Sequence, residues 1–557
     1  FEIAECFNHH FTKIADITLC NAGQTINNQL STPKDYGKIP DFILHPTTPE
    51  EVSCTLSSLK SKPSAGIDEL TSTLLKHCKD EIVSPLCHII NLSFSQGIFP
   101  TKLKLAKVFP VHKKGSVTSV ENYRPISILP TISKVVEKIL LNQLITHLTT
   151  FNILTTQQHG FLRGKSTTTA IVQLSEFIID QLEENTTVTA MLLDFSKAFD
   201  CLNHSLLLQK VGNMGIRGAP QNWLASYLKD RQQLVELNYT INNTSHKARS
   251  TLLPITRGVP QGSILGPVLF ILLTNDLPSY LLDWAQAMLY ADDTALLIAQ
   301  KDSISLELNS FIALNMTKQY CQYNNLVLNE SKTQQLIWKG RRACDYYGLP
   351  EIAQDNEAKY LGIIVDDKLS WNPHIDDLCS KLNSSIYCLK RVKSSCNQDT
   401  TRTAYFSLVE SRLRYGLLAW GNSSARNRDR ILVLQKKAIR ILAGLTPLDS
   451  CRPAFGQLGI LTIVSLYICE ATCFTIAQKP DHLGDNHSYN TRNANDYALP
   501  AHHLTLFEKK PTYMGRKLFN QLPDDLKRCR EDKNFKTSLK TWLLQKSFYT
   551  SEELLTA

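Results

Sequence analysis

The segment Ala287-Met288-Leu289-Tyr290-Ala291-Asp292-Asp293-Thr294-Ala295-Leu296-Leu297-Ile298 sets two adjacent carboxylates between two apolar runs. The pattern predicts a β-hairpin with its turn at Ala291 to Asp293. Adjacent acids in an apolar setting repel each other and are poorly solvated, so a divalent cation would relieve their cost. A lone Asp-Asp pair is more often only a solvated turn. Here a third acid stands in a matching setting upstream, where Val188-Thr189-Ala190-Met191-Leu192-Leu193-Asp194 reads as a buried strand ending on a carboxylate. Two buried strands that carry Asp194, Asp292 and Asp293 to one point would have the layout of a two-metal phosphoryl-transfer centre.

The elements that must hold these acids can be followed along the chain. Residues 1–47 predict a helical lead-in and a Pro-containing linker. Lys102, Lys104, Lys107, Lys113 and Lys114 follow within thirteen residues without an acid among them, around a strand at Val108-Phe109-Pro110-Val111. Such a basic hairpin suits phosphate, although a charge run is usually a solvated face. A helix is expected from Ser133 to about Leu148. The Gly-rich loop Gln158-His159-Gly160-Phe161-Leu162-Arg163-Gly164-Lys165-Ser166 precedes another, with only a superficial likeness to a P-loop. Arg257-Gly258-Val259-Pro260-Gln261-Gly262-Ser263 is a tight turn before an apolar helix. A helix from about Ser303 to Tyr323, a short strand Leu326–Asn329 and a strand-and-turn Lys359–Val365 come next. Residues from Ile375 to about Ala443 read as helical and basic.

The chain has 557 residues, 43% hydrophobic and 20% charged, which suggests two to four globular domains. Its net charge is +9, and residues 376–450 alone hold 13 Lys+Arg against 6 Asp+Glu. A basic segment beside a carboxylate site points to a polyanionic partner. The 15 cysteines are scattered, which suits a reduced intracellular protein, in the nucleus, the cytoplasm or both. Gly459 to Ala477 is long enough for a membrane span, but Glu470 lies within it and a buried helix is the expectation. No membrane association is expected. Cys469, Cys473, His482 and His487 have only a superficial zinc-finger spacing.

Four motifs in order, Tyr123-Arg124-Pro125-Ile126, Asp194-Phe195-Ser196-Lys197-Ala198-Phe199-Asp200, Gly258-Val259-Pro260-Gln261-Gly262-Ser263 and Tyr290-Ala291-Asp292-Asp293, resemble a reverse transcriptase of non-LTR (LINE-type) retrotransposons over about residues 50–445. His487–Arg492 and Leu518–Pro523 resemble the C-terminal extension of such elements. The resemblance implies an α+β right-hand polymerase fold. Its parts would be a lead-in and linker at 1–49, fingers at 50–186 and a palm with an antiparallel sheet at 187–374. A helical thumb at 375–450 and an extension at 451–557 would follow. It implies RNA-directed DNA synthesis from an RNA template, a DNA primer and deoxynucleoside triphosphates. A decayed or host-adopted RNA-binding copy is the alternative, and a group II intron maturase a third reading.

The resemblance also assigns roles. Asp194 and Asp292 would hold two magnesium ions, with manganese as a substitute. Asp293 would support the site or ligate, and Phe195 would add its main-chain carbonyl. Phe199 would exclude a ribose 2′-hydroxyl, with core packing as the competing role. Gln261 would lie near the nucleotide's sugar and base, and Gly258 and Gly262 would allow close backbone approach there. Arg124 and one or more of Lys107, Lys113 and Lys114 would bind triphosphate. Lys332 would protonate pyrophosphate as it leaves, and Tyr360-Leu361-Gly362 would form the primer grip. Asp200 is expected to cap a helix or form a salt bridge. Arg412, Arg414, Lys436, Lys437 and Arg440 are expected on the template–primer backbone. Tyr489, Arg492, Tyr513, Arg516 and Lys517 are expected in nucleic-acid contacts, or else in packing the tail on the thumb. The sequence reads as a fragment without an endonuclease, and no strand-anchored carboxylates of a ribonuclease H stand out in its tail.

Overall fold

A computed structural model of the chain describes residues 1–23, 36–340, 346–483 and 496–556. The expected tail residues His487, Tyr489 and Arg492 lie outside them. The architecture is mixed α/β. The strands in chain order are β1 (Leu105–His112), β2 (Tyr123–Ile128), β3 (Thr187–Leu193), β4 (Arg231–Ile241), β5 (Thr244–Arg249), β6 (Leu253–Ile255), β7 (Gln286–Tyr290), β8 (Asp293–Gln300), β9 (Gln334–Trp338), β10 (Ala353–Gln354), β11 (Glu357–Tyr360) and β12 (Ile363–Asp366). One sheet has the order β2-β1-β4-β5 with β6 also on β4, a second the order β10-β9-β3-β8-β7, and β11 and β12 form a hairpin.

Every residue of β3 is buried, Thr187 and Thr189 included, which explains the apolar run from Ala190 to Leu193. Its partner β9 is antiparallel, with Ala190 opposite Leu336, while β10 runs parallel to β9. The expected antiparallel pairing holds between β3 and β9, and the two-residue β10 adds a parallel edge. Gln334–Trp338 carries no strong strand signal beyond Leu336-Ile337-Trp338, and the sequence reading missed it. Conversely, Leu326–Asn329 is not a strand: it makes one isolated bridge, Leu328 to Phe195.

By internal contacts the chain divides into two compact units. One comprises Phe1–Arg163, Leu193–Leu296 and Phe311–Thr333, the other Gly164–Leu192, Leu297–Ser310 and Gln334–Ala557. In the first unit, β1 pairs antiparallel with β2 and parallel with β4. The helix Glu2–Asn21 belongs to this body and is no detached lead-in. Its Phe7 and Phe11 are buried in a cluster with Val108 and Val235. Phe7 meets the Tyr123 ring edge-on at 4.8 Å. Asn8 donates to the Thr251 carbonyl at 2.8 Å and accepts from Gln233 at 3.1 Å. Each buried Phe contributes on the order of 2–3 kcal/mol, more than an isolated lead-in could gain from helix propensity.

In the second unit, the long basic helices Asn372–Ser395 and Ala425–Ala443 pack on each other. The tail is held by one face of the helix Thr167–Glu183. Glu176 accepts from the Thr512 amide, Asp180 pairs with Lys510, and Glu183 accepts from the amides of His503 and Leu504. Tyr513 is buried, Arg516 donates to the Ala498 carbonyl, and Lys517 pairs with Glu508. The polar partners of Arg516 and Lys517 lie within the tail itself. The helix Ile463–Gln478 is largely buried. Among the described residues no single helix is long and apolar enough to cross a membrane. Arg452–Leu458 and Ile463–Gln478 reach that length together only across a 55° bend.

Candidate active site

Asp194 is the first residue after β3, and main-chain bonds on either side fix it. The Asn329 amide donates to the Asp194 carbonyl at 2.8 Å, and the Ser196 amide donates to the Val327 carbonyl at 2.8 Å. The segment read as a strand at Leu326–Asn329 thus serves as a clamp on the catalytic candidate. The Asp194 carboxylate is half-exposed and accepts from Lys332 Nζ at 2.6 Å. Phe195, the next residue, is buried.

The Asp-Asp hairpin forms as expected: β7 ends at Tyr290, Ala291 and Asp292 turn, and β8 begins at Asp293. Ala291 has φ +55°, a left-handed conformation that costs a residue bearing a Cβ on the order of 1 kcal/mol. The loop likened only superficially to a P-loop supports that turn. Gln158 Oε1 accepts from the Ala291 amide at 3.1 Å and from the Gly160 amide at 2.7 Å, while the His159 amide donates to Leu289 at 2.8 Å. A Cβ on Gly160 would lie 2.7 Å from the Ala291 nitrogen, so glycine is required there. Gln158-His159-Gly160 is therefore a brace for the carboxylate turn.

The acids feel one another. Burial pushes the Asp292 carboxyl up, and the charge of Asp194 adds to it, while Arg124 and Lys113 act the other way. Asp293, open to solvent on one side, is pushed up to about 6 by the protein packed round it and by the charges of Asp292 and Asp194. Mutual repulsion among hard oxygen donors suits a divalent cation. Yet no three His, Cys, Asp or Glu side chains among the described residues are gathered closely enough to hold an ion. Asp194 faces Lys332 instead.

The positive groups are unequal. Arg124, Lys113 and Lys114 are exposed on the hairpin formed by β1 and β2. Burial, then the charges of Arg124 and Lys332, lower the Lys113 ammonium's pKa, so these cations crowd one region. Lys107 is a correction: it is buried and pairs with Glu236 at 3.5 Å, which also pairs with Arg249 at 2.8 Å. Its charge is engaged within the first sheet and is not offered to a ligand.

Phe199 is half-buried, its ring 4.9 Å from that of Phe270. Backbone bonds tie its segment to the Arg257–Ser263 turn. Val259 N donates to the Phe199 carbonyl at 3.0 Å, Gly258 N to the Leu202 carbonyl at 2.8 Å, and the His204 ring to the Gly258 carbonyl at 2.7 Å. The expected close approach at the glycines occurs, but against protein backbone. A Cβ on Gly258 would lie 2.6 Å from the Asp200 carbonyl, and one on Gly262 only 2.3 Å from the Ser127 carbonyl. Gly262 also has φ +141°. Gln261 donates through Nε2 to both Asp200 oxygens, at 3.0 and 2.9 Å. Asp200 is thus no cap or salt bridge: it holds Gln261. Sequence spacing gives no signal for this pairing, because the residues stand 61 apart.

Glu137, fully buried, is a further support that the sequence reading missed. It accepts from Ser133 at 2.8 Å and from the amides of Ile264 and Leu265 at 2.7 and 3.1 Å, at the start of the helix Gly266–Leu273. A carboxylate there satisfies orphan donors and meets the helix dipole.

In the second unit, the Tyr360-Leu361-Gly362 residues join β11 to β12 through a turn with φ +46° at Leu361 and +83° at Gly362. Tyr415 donates its hydroxyl to the Leu361 carbonyl at 2.6 Å. Of the five basic residues expected on nucleic acid, Arg414 is held by Glu410 and Glu470 at 2.8 Å each, and Lys436 stacks on the Tyr549 ring at 3.8 Å. Arg412 donates to the Lys381 carbonyl and Arg440 to the Asp449 carbonyl. Lys437 is exposed, as are Lys390, Arg391 and Arg426.

Residues 111–365 match the family described as reverse transcriptase (RNA-dependent DNA polymerase). The chain is 30% identical over 462 residues to a probable RNA-directed DNA polymerase from transposon BS of Drosophila melanogaster, covering 79% of this chain and 49% of that protein. It is 28% identical to the RNA-directed DNA polymerase from mobile element jockey of the same species, covering 72% and 44%. With the 115 kDa protein of the retrotransposable element R1DM the identity is 25%, covering 72% and 40%. The chain spans about half the length of these relatives or less. All four motifs, with Asp194, Asp292 and Asp293, lie within residues 111–365, the part of the chain that matches the reverse transcriptase family.

Proposed function

We propose that the chain is an RNA-directed DNA polymerase that adds deoxynucleotides to a DNA primer on an RNA template. The observation that carries this is the placement of Asp194 at the end of β3 beside β8, whose first residue closes the Asp292-Asp293 turn. A right hand with fingers at 50–186, palm at 187–374 and thumb at 375–450 belongs to the same reading.

Magnesium held by Asp194 and Asp292, with Asp293 in support and substrate phosphates completing the shell, would lower the pKa of the primer 3′-hydroxyl and neutralise the leaving pyrophosphate. The chain's own residues prepare that step. Lys332 donates to Asp194 and, once cations take that carboxylate, is free to give a proton to pyrophosphate. Arg124 can grip phosphate with two parallel N–H bonds, while Lys113 and Lys114 act as point charges. Phe199, backed by Phe270, would serve as the apolar ring that excludes a ribose 2′-hydroxyl. Gln158 keeps the Asp292-Asp293 turn from relaxing, and Glu137 does the same for the start of the helix Gly266–Leu273 that follows Gln261. The intact acids, their charge coupling and the two supports favour activity over a decayed copy.

The test is primer extension on an RNA template with deoxynucleotides and magnesium. Template-dependent DNA supports the reading, and no extension by folded protein overturns it.

A further inference from the structure

Resting on the reading of Gln261 as a nucleotide contact, we propose that Asp200 is a positioning residue that fixes which end of the Gln261 amide faces the incoming nucleotide, and thereby selects substrates bearing a 3′-hydroxyl.

A glutamine amide has one donor end and one acceptor end, similar in shape, and free in solution it offers either. Asp200 removes that freedom. An ionised carboxylate only accepts, so Gln261 must turn Nε2 toward it, and both Asp200 oxygens lie within 3.0 Å of that nitrogen. The amide oxygen is then the end left to meet a ligand. An acceptor in that place takes a hydrogen bond from a sugar hydroxyl and gives nothing to a sugar lacking one.

The surrounding backbone makes the arrangement stiff. Val259 N to Phe199 O, Gly258 N to Leu202 O and the His204 ring to Gly258 O tie the Asp200 segment to the Gln261 turn. Ser127 N donates to the Gln261 carbonyl at 2.9 Å from the other side. Gly258 and Gly262 permit these approaches, since a Cβ at either would meet a carbonyl oxygen under 3.0 Å away. Gln261 has both its backbone and its amide fixed, and Phe199 moves with it. The sugar-excluding ring and the sugar-reading amide are one block.

Asparagine at position 200 has one acceptor and one donor, so it can pair with either end of Gln261 and no longer dictates its orientation. The experiment is single-nucleotide insertion on an RNA template with a DNA primer, comparing a deoxynucleoside triphosphate with its 2′,3′-dideoxy analogue. The readout is the ratio of their kcat/KM values in wild type, Asp200→Asn, Gln261→Ala and the double variant. A hydrogen bond of ordinary strength corresponds to roughly 3- to 10-fold. Asp200→Asn should therefore lower the preference for the 3′-hydroxyl by about that factor, chiefly through KM. The double variant should fall no further than Gln261→Ala. Asp200→Ser, which keeps one acceptor and cannot force the amide as a carboxylate does, gives the same readout should Asn at 200 not fold.

A preference unchanged by either Asp200 variant while Gln261→Ala lowers it overturns the role of Asp200 and leaves the Gln261 contact standing. Additive losses in the double variant overturn it as well. A preference unmoved by Gln261→Ala overturns the nucleotide contact itself, which is the underlying reading.

Discussion

Lys332 Nζ donates to Asp194 Oδ2 at 2.6 Å, so the carboxylate at the end of the buried strand already has a cationic partner. Both side chains keep substantial exposure, and such a pair is worth little for stability. The proposed function gives the pair a chemical role instead. Asp194→Asn should abolish DNA synthesis while circular dichroism and template binding stay near wild type. Lys332→Met should lower the insertion rate by on the order of 100-fold with a smaller change in KM, the size typical of lost general acid catalysis. Near wild-type rates in both variants would remove these residues from the chemistry.

Asp200 gives a pH signature. Burial pushes its carboxyl up to about 6, against the opposing pull of Gln261 and Lys197. The unfolded value is about 3.9, so the folded state holds the proton more tightly. That contribution is fully present below about pH 4 and lost as pH rises through about 6. Asp200→Asn does not titrate. The stability of wild type relative to this variant should fall by roughly 1–3 kcal/mol between pH 4 and 7 and then level off. Melting curves across that range check the sign: a wild type that gains on the variant with rising pH contradicts the assignment.

Phe199→Val should admit ribonucleotides, raising their use relative to deoxynucleotides on the order of 10- to 100-fold, equivalent to roughly 1.4–2.8 kcal/mol of relieved clash. Deoxynucleotide insertion should survive. A folded variant with unchanged sugar selectivity would leave the Phe270 contact as ordinary packing.

Glu137→Ala should destabilise the fold without any direct contact with substrate. It leaves the amides of Ile264 and Leu265 without their partner in a buried place, a loss of about 2–4 kcal/mol. Denaturant melts measure it, and a change below about 0.5 kcal/mol would show that the helix start has another partner.

The basic second unit should show its contacts through salt. Replacing Lys390, Arg391, Arg426 and Lys437 by alanine should flatten the log–log salt dependence of template–primer binding by roughly three to four units, about one per lost phosphate contact. Arg414→Ala should leave that slope alone and lower the melting temperature, because Arg414 is committed to Glu410 and Glu470. The reverse pattern would return the contacts to Arg414.

The carboxylate centre was legible because it is local: a buried strand run ending at Asp194 and a hairpin turn at Asp292-Asp293 each need only neighbouring residues. The fold's supports were not. Gln158 on Ala291, Asp200 on Gln261 and Glu137 on Ile264 join residues 61 to 133 positions apart, and no periodicity carries such a pairing. The helix Glu2–Asn21 read as a lead-in because its apolar positions show a face but not what covers it. Lys107 read as one more lysine in a basic run, since its partner Glu236 comes from a distant strand. The strand β9 escaped because it is short and half polar.

The most direct test of the polymerase reading is extension of a DNA primer on an RNA template by the purified chain with magnesium and deoxynucleotides, run beside Asp292→Asn. Template-copied DNA from wild type and none from the folded variant is the predicted result. Equal extension by both, or none from folded wild type, would contradict it.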